Sequence, residues 1–216
     1  MSKLLFIPLV LCLFLSSCRR FKEEKVIAQA EPFRPTNIYP VERLPLSFAR
    51  VVLLPCYHKD PDSSLLSFCD DIFFRELSQE RIFEIIQLSP RDLAELVGKP
   101  RVSSLEPLPA SFLKTIESKT FANGVLFVDL DSYRPYRPMS LGVRAKLVDL
   151  KSGEFMWAID ETFDAGHADI IVGTTQFQEK LQVRAISDRT GGSVLHSPRI
   201  FTKYVASTIF STLPKR

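Results

Sequence analysis

Glycine, cysteine and histidine are all scarce in this sequence of 216 residues, with 8, 4 and 3 copies respectively. The glycines form neither the GxGxxG nor the GxxxxGK[ST] pattern, so the chain lacks the loops that usually cradle phosphate groups. The three histidines, at positions 58, 167 and 196, fall in no HExxH motif and form no i, i+4 pair, which excludes a zinc protease of that class. No GxSxG motif marks a nucleophile elbow either.

An excess of charge is also missing. Lysine and arginine number 28 against 25 acidic residues, a formal net charge of +3. A dedicated nucleic-acid binder concentrates a much larger basic excess on one face, so we expect no nucleic-acid partner. Apolar residues make up 45% and charged residues 25% of the chain, which is ordinary globular usage and, at this length, favours a single folded domain.

The apolar run at the N-terminus, residues 4–15, is too short to cross a membrane. As a helix it would span about 18 Å, against a hydrocarbon core of about 30 Å. It follows the basic Lys3 and precedes small residues, which is the layout of a secretory signal peptide. The sequence LSSC at 15–18 then resembles the lipobox of bacterial lipoproteins. We predict that residues 1–17 are a lipoprotein signal peptide and that Cys18 is the lipidation site; the alternative is an ordinary signal peptide cleaved before a cysteine.

The residue after this cysteine bears on the compartment. In enterobacterial lipoproteins an aspartate there retains the protein in the inner membrane, so Arg19 favours the outer membrane by that resemblance. Acyl chains on Cys18 anchor a protein strongly, which makes the membrane an expected partner. Residues 18–45 contain four prolines and predict an extended linker, with a disordered arm as the alternative. Residues 46–216 are the predicted periplasmic domain.

Patterns beyond the linker predict the order β-α-β-α-α-β-β-β-(α)-α. A strand-helix-strand opening implies a parallel pair, and three successive strands imply an antiparallel meander. The predicted fold class is therefore α/β, with a mixed sheet covered by helices in a single domain. The predicted strands are 50–56, 83–88, 125–131, 141–150 and 154–163, and the predicted helices are 65–79, 90–97, 110–119, 176–183 and a last helix from 198.

Local signals accompany several of these elements. Ser89, Pro90 and Asp92 form a helix-start signature, and Gly98 is a typical helix stop. Lys151-Ser152-Gly153 predicts a three-residue hairpin. In the strand that follows, alternation places Phe155, Trp157 and Ile159 on one face. Residues 188–197 predict a surface loop.

Two cysteines, Cys56 and Cys69, remain in the predicted domain once the leader is removed and Cys18 is lipidated. A compartment outside the inner membrane is oxidising and permits a disulfide between them. The alternative is two small buried apolar side chains. With His58 nearby there is still no CxxC and no fourth ligand at the usual spacing, so we expect no metal site and no cofactor.

One segment, residues 133–139 with the sequence YRPYRPM, is typical of a contact surface. Tyrosine and arginine are enriched in binding hot spots, and proline lowers the entropic cost of ordering a loop. The predicted partner-contact residues are Tyr133, Arg134, Tyr136 and Arg137. The alternative is a hairpin loop whose tyrosines only lie against the sheet, and such a loop could also touch an acidic polysaccharide.

Carboxylates near the ends of the predicted strands indicate a second candidate function, which is catalysis. Paired acids act as general acid and base in glycosidases, so a glycan-acting enzyme is the alternative to a binding protein. Acids in such places are also typical solvated turn formers. The candidates are Asp129, Asp131, Asp149 and Asp160.

Residues 50–55 (RVVLLP), the helix after them, the strand at 83–88 and residues 147–157 (LVDLKSGEFMW) together resemble a group of periplasmic lipoprotein domains. The group includes the CsgG-like curli-secretion lipoprotein, the penicillin-binding-protein activator lipoprotein and the Pel polysaccharide-export lipoprotein. The resemblance covers about residues 48–213. It implies a mixed α/β domain related to the N-terminal domain of TolB, a role in protein–protein contact or polymer export, often as outer-membrane rings, and no catalysis.

One departure from this group concerns residues 164–196. The curli channel inserts long amphipathic hairpins into the membrane, and no such pair of strands is predicted there, so pore formation is not expected. A homo-oligomer is possible, with no signal for or against it. We therefore predict a lipid-anchored, non-catalytic adaptor or structural component of envelope assembly or export, whose partner is a periplasmic or outer-membrane protein.

Overall fold

A seven-stranded sheet forms the centre of the structure, a computed structural model that describes residues 26–40, 42–184 and 193–216. The predicted signal peptide, Cys18 and Arg19 lie outside these residues. The main spatial order is β1-β7-β6-β5-β2-β4, and β3 pairs with β5 beside this path. The strands are β1 (Ile38–Pro40), β2 (Arg50–Leu53), β3 (Tyr57–His58), β4 (Glu84–Gln87), β5 (Gly124–Arg134), β6 (Ser140–Asp149) and β7 (Phe155–Asp164).

The sheet is mixed, as the sequence predicts. Strand β2 runs parallel to both β4 and β5, whereas β5, β6 and β7 form an antiparallel meander. The helices are α1 (Cys69–Glu80), α2 (Pro90–Val97), α3 (Phe112–Thr120), α4 (Ala168–Arg184) and α5 (Pro198–Phe210). The predicted fold class, a mixed sheet covered by helices in one α/β domain, is confirmed.

Helices pack on both faces of the sheet and produce two apolar cores. The larger core lies under α1, α4 and α5, and the smaller one lies under α2 and α3. We call these the long-helix face and the short-helix face. Along β2, Val51 and Leu53 belong to the larger core and Val52 to the smaller, so this strand is buried on both faces as its apolar run predicts.

Helix α2 forms where its local signals place it. The Ser89 hydroxyl accepts a hydrogen bond from the Asp92 amide and the Asp92 carboxylate accepts one from the Ser89 amide, both at 3.1 Å, which completes a capping box. Pro90 occupies the first turn, and Gly98 ends the helix with a left-handed φ of +80°.

The first long helix begins later than its apolar spacing predicts. Ser64–Ser67 form a separate 3-10 turn, and the α-helix starts only at Cys69. Ser63 makes no side-chain cap to this turn. At the start of α1, the Asp70 carboxylate instead accepts a hydrogen bond from the Cys56 amide at 2.7 Å, a long-range contact that spacing cannot reveal.

The hairpin between β6 and β7 confirms the predicted turn and corrects the predicted face. Gly153 has a φ of +75°, as a left-handed hairpin position requires. The strand register shifts, however, so that Trp157 lies opposite Leu147 while Phe155 lies opposite Val148. The extra residue is a β-bulge, which moves Phe155 to the short-helix face and leaves it 52% exposed. Trp157 stays fully buried in the larger core.

Part of the predicted linker is built into the sheet. Strand β1 pairs antiparallel with β7, and the amides of Thr36 and Asn37 donate to Glu161 Oε1 at 2.5 and 2.7 Å. The prolines do not prevent this pairing, because Pro40 stands on an edge strand, where a missing amide proton is tolerated. The folded body therefore takes up residues that the sequence assigns to the linker.

The C-terminal part of the chain is more helical than the sequence predicts. Helix α4 begins at Ala168, well before the predicted start at residue 176. Within the predicted surface loop, Val194–His196 form a 3-10 turn in which Val194 is buried, and residues 185–192 lie outside the described ranges. Ser197 caps α5 by accepting the Ile200 amide, as its Ser-Pro start predicts. No helix within the described ranges is long and apolar enough to cross a membrane.

Candidate functional site

The loop between β5 and β6, residues 135–139, presents the most exposed aromatic side chain of the predicted contact segment. Tyr136 is 80% exposed and Arg137 beside it is also exposed. Met139, at the other end of the loop, is buried in the larger core. Strand β5 continues through Arg134, so Tyr133 and Arg134 belong to the strand and not to the loop as predicted.

Arg134, at the end of β5, contacts both the β5–β6 loop and the end of β7. Its Nε donates to the carbonyl oxygen of Pro138 at 2.5 Å, and its Nη2 lies 3.0 Å from Asp164 Oδ2. Asp164 also accepts a hydrogen bond from the Gly166 amide at 2.8 Å. The Gly166 hydrogen bond, together with the Arg134 guanidinium, lowers the pKa of Asp164 below its usual value. The carboxylate that orients Arg134 is thus ionised over the physiological range.

Tyr133 lies against the fold and is only partly accessible. It packs on the larger core, and burial raises the pKa of its phenol, with a hydrogen bond to Ser64 acting in the opposite direction. The structure therefore divides the four predicted contact residues into two pairs. Tyr136 and Arg137 face solvent, while Tyr133 and Arg134 support the loop that carries them.

The N-terminal segment joins the domain beside this loop. The Phe33 amide donates to Asp169 O at 3.0 Å, and the Phe33 ring packs edge-to-face on Phe163 at 5.0 Å. Phe163 lies opposite Leu141, two residues after the loop ends. The entry point of the chain and the exposed side chains of the loop therefore share one end of the sheet.

The candidate catalytic carboxylates are brought together only in part. Asp131 and Asp160 both contact Arg144 Nη2, at 3.0 and 2.7 Å. Asp129 is buried nearby, and its carboxylate accepts hydrogen bonds from the amide and hydroxyl of Ser104. Burial raises the pKa of Asp129, and the Ser104 hydrogen bonds oppose that rise.

Asp149 lies apart from this group at the β6–β7 hairpin. Its carboxylate accepts hydrogen bonds from the amides of Lys151 and Ser152, both at 2.8 Å. Aspartate side chains commonly stabilise turns in this way.

Arg144 is the centre of the group formed with Asp131 and Asp160, and no sequence motif marks it. The only sequence signal is its position on β6, where Arg144 and Lys146 alternate with residues of the larger core. A cavity of about 160 Å³ beside Arg144 and Asp160 is smaller than the roughly 300–1,000 Å³ of typical ligand pockets. A glycosidase needs one protonated acid and one free carboxylate facing a substrate cleft, whereas here a single guanidinium engages both exposed acids. The arrangement is that of a structural ion cluster.

An apolar groove of about 340 Å³ lies beside this cluster on the short-helix face. Its lining includes Phe112 and Leu113 of α3, Phe127 of β5 and Phe155 of the hairpin. Lys146 Nζ lies 5.8 Å from the centre of the Phe155 ring and donates to Ser104 O at 3.2 Å. Sequence alternation misses this groove because it places Phe155 on the other face.

Cys56 and Cys69 are free thiols, both buried. Their Sγ atoms and a carboxylate oxygen of Asp70 all lie within 4.8 Å of one another, a set of atoms of metal-ligating type. Both carboxylate oxygens of Asp70 are held by Arg101, at 3.1 and 2.8 Å, and Arg101 also donates to the Cys56 carbonyl oxygen. His58 lies apart, with its Nδ1 against the backbone of Asp60 at 3.1 Å.

The two thiols interact with each other. Burial raises the pKa of Cys56 well above its usual value, and Cys69 raises it further. The pairing of Cys56 with Cys69 therefore remains a prediction, and their sulfur atoms lie within 4.8 Å of each other.

No protein-family model matches the chain, and no curated protein is similar to it in sequence. Several solved structures are similar in fold. Lipoprotein GNA1162 from Neisseria meningitidis is 14% identical with a TM-score of 0.46, and the match covers 63% of this chain and 98% of that one.

Two further structures give weaker matches. A PelC dodecamer from Paraburkholderia phytofirmans is 13% identical, with a TM-score of 0.41 and coverage of 62% of this chain and 94% of that one. The C-terminal domain of LpoB from Escherichia coli is 14% identical, with a TM-score of 0.35 and coverage of 53% and 82%.

Proposed function

We propose that this protein is a membrane-anchored, non-catalytic adaptor of the bacterial cell envelope. Cys18 carries the lipid, and the domain offers its β5–β6 loop to a protein partner in the periplasm or the outer membrane. The observation that supports this proposal is the combination of two exposed side chains, Tyr136 and Arg137, with the Arg134–Asp164 ion pair and the Arg134–Pro138 hydrogen bond at the base of their loop.

The energetics of binding favour such a loop. An ordered loop loses little conformational freedom when a partner covers it, so more of the contact energy is available for affinity. Tyrosine contributes a large apolar surface with few rotatable bonds, and arginine adds charged hydrogen bonds, which is why both are enriched in hot spots. In the part of the chain that the structure describes, Tyr136 is 80% exposed, so most of its surface is open to a partner.

The compartment follows from the N-terminal sequence. The basic Lys3, the short apolar run and LSSC at 15–18 support export and acylation, and Arg19 supports the outer membrane. Since the chain enters the domain beside the β5–β6 loop, a partner located at the membrane would meet that loop first. A kinship with the CsgG-like lipoproteins belongs to the same proposal and predicts the same non-catalytic role.

Crosslinking in living cells, followed by affinity purification of the full chain and mass spectrometry, tests this function. Tyr136→Ala and Arg137→Ala are the test variants. Phe121→Ala is the matched control, because Phe121 is also a solvent-facing aromatic, 79% exposed, but precedes the opposite end of β5. We expect the partners recovered with the wild type to be depleted in both loop variants and retained with the control. Recovery of the same partners from all four proteins would contradict the assignment of the loop.

A glycan-acting enzyme is the second candidate, because Asp131 and Asp160 do converge on Arg144. That function predicts release of soluble fragments from purified peptidoglycan or envelope polysaccharide, abolished by Asp131→Asn or Asp160→Asn. The adaptor function predicts no fragment release by any of these proteins.

A further inference from the structure

We propose that Cys56 and Cys69 form an intramolecular disulfide when the chain folds in the presence of an oxidant; its formation in cells rests on the export proposed above. Cys56 follows β2 and Cys69 is the first residue of α1, so the bond would join the sheet to a helix on the long-helix face. Both side chains are at most 1% exposed, and their sulfur atoms lie within 4.8 Å of each other.

The approach of the two cysteines is enforced by their neighbours. Asp70 adjoins Cys69 in sequence, and its carboxylate accepts the Cys56 amide at 2.7 Å. Arg101 binds the same carboxylate through two nitrogens and the Cys56 carbonyl oxygen as well. These bonds hold the backbone at Cys56 against the start of α1, where Cys69 lies; a disulfide requires the Cα atoms of its two cysteines to be about 4.4–6.8 Å apart.

Asp70 and Arg101 also argue against a metal ion bound between the two cysteines. Three groups of metal-ligating type are present, but the Arg101 guanidinium occupies the Asp70 carboxylate and places a positive charge beside the thiols. Only two sulfur ligands remain available, short of the four that structural zinc sites use. Two neighbouring thiols with no further ligand among the described residues fit a disulfide.

The reaction is a thiol–disulfide exchange. A thiolate of one cysteine attacks the disulfide of an oxidant, such as an oxidoreductase or oxidised glutathione, and forms a mixed disulfide with it. The second cysteine then attacks that mixed disulfide at the protein sulfur and releases the thiol of the oxidant. The chain loses two protons and two electrons and gains one S–S bond, while the disulfide of the oxidant is reduced to two thiols. Because only the thiolate attacks and burial raises the pKa of Cys56, the folded reduced protein should react very slowly. The bond should therefore form before α1 packs on the sheet.

The bond would also stiffen the support of the proposed contact loop. The ring that it closes, residues 56–69, contains β3, which pairs with β5, the strand that leads into the loop. Closing the ring restricts the unfolded chain, and we expect the oxidised form to melt roughly 5–10 °C above the reduced form.

Refolding of the full chain in detergent tests the pair itself. One sample is unfolded, reduced and refolded in a mixture of reduced and oxidised glutathione; a second is folded fully reduced and only then given the same mixture. Free thiols are alkylated, and peptides are analysed by mass spectrometry without reduction. We expect a Cys56–Cys69 link, with the loss of two hydrogen atoms, in the first sample and free thiols in the second. Free Cys56 and Cys69 in the first sample, or links from them to Cys12 or Cys18, would overturn the proposal.

Two further arms complete the experiment. Cys69→Ala should melt at the same temperature under oxidising and reducing conditions, whereas the wild type should not. Protein taken from cells, with thiols blocked at lysis, should carry the same link. A link that forms on refolding but is missing in cells would contradict the proposed export and leave the pairing supported; its absence on refolding overturns the pairing whatever the cells show.

Discussion

Arg134 reaches over Ser140 to bind Asp164. In the strand register, Arg134 lies opposite Ser140 and Ser140 lies opposite Asp164, so the 3.0 Å contact between Nη2 and Oδ2 spans three strands. Together with the bond from Arg134 Nε to Pro138 O, it fixes the open end of the meander and the loop above it.

Replacing Arg134 with glutamine should therefore affect binding more than stability. The pair is partly solvent-exposed, so we expect the free energy of unfolding to fall by less than about 1 kcal/mol. Released from its support, the loop should capture partners as poorly as Tyr136→Ala does. Urea unfolding and in-cell crosslinking measure the two effects. Arg91→Gln, which breaks the exposed Arg91–Glu95 pair of α2, is the control and should leave capture unchanged.

Removal of Arg144 should be more harmful to the fold. Its side chain is mostly buried, and Arg144→Met would leave Asp131 and Asp160 facing each other without the cation between them. We expect a loss of roughly 1–3 kcal/mol in the free energy of unfolding. Adding Asp160→Asn to Arg144→Met should recover part of that loss, and a double-mutant cycle measures the coupling. Strict additivity of the two changes would show that the carboxylate does not depend on the guanidinium.

Asp129 should make stability fall as the pH rises. Burial raises the pKa of its carboxyl in the folded state, so the folded protein holds this proton more tightly than the unfolded chain does, whose aspartates titrate near 3.9. The favourable contribution is complete below the unfolded pKa and is lost as the pH rises through the folded pKa. Chemical unfolding of the wild type and Asp129→Asn from pH 3 to 7 should show the wild type losing stability relative to the variant across that window. A constant difference would be inconsistent with the raised pKa.

Two helix ends carry a strained residue that glycine should relieve. Arg81 and Phe121 end α1 and α3 with φ values of 54° and 53°, in the left-handed region that favours glycine. Arg81→Gly and Phe121→Gly should each stabilise the fold by about 0.5–1 kcal/mol in thermal or urea unfolding. Gly98→Ala, at the equivalent end of α2, should destabilise it by about 1 kcal/mol. Destabilisation by all three changes would contradict this account of the caps.

The sequence predicts those parts of the fold whose causes are local. The start and end of α2 depend on residues 89–98 alone, and the left-handed position in the β6–β7 hairpin depends on Gly153. Strand β1 is different, because three residues pair only where β7 and Glu161 receive them. Phe155 lies on the unpredicted face because a bulge, set by the pairing of β6 with β7, displaces it by one residue.

In the candidate site, too, the sequence predicts the features with local causes and misses those that depend on distant residues. Composition predicts a contact loop that includes Tyr133, Arg134, Tyr136 and Arg137, and of these Tyr136 and Arg137 lie in the loop itself and face solvent. It cannot assign Arg134 to a supporting role, because its partner, Asp164, lies thirty positions further along the chain. Nor can it identify Arg144, whose three acidic neighbours come from β5 and β7 and meet only in the folded sheet.

The incorporation of β1 into the sheet has a mechanical consequence. With Cys18 held in a bilayer as proposed, the leash from Cys18 to Phe33 would be fifteen residues long and would reach about 50 Å if fully stretched. Any tension on that leash would be borne first by Phe33 and by the amides of Thr36 and Asn37 on Glu161, before it reached the rest of the fold. Force applied from the membrane would thus act on the edge of the sheet and on β7, the strand whose last residue, Asp164, binds Arg134.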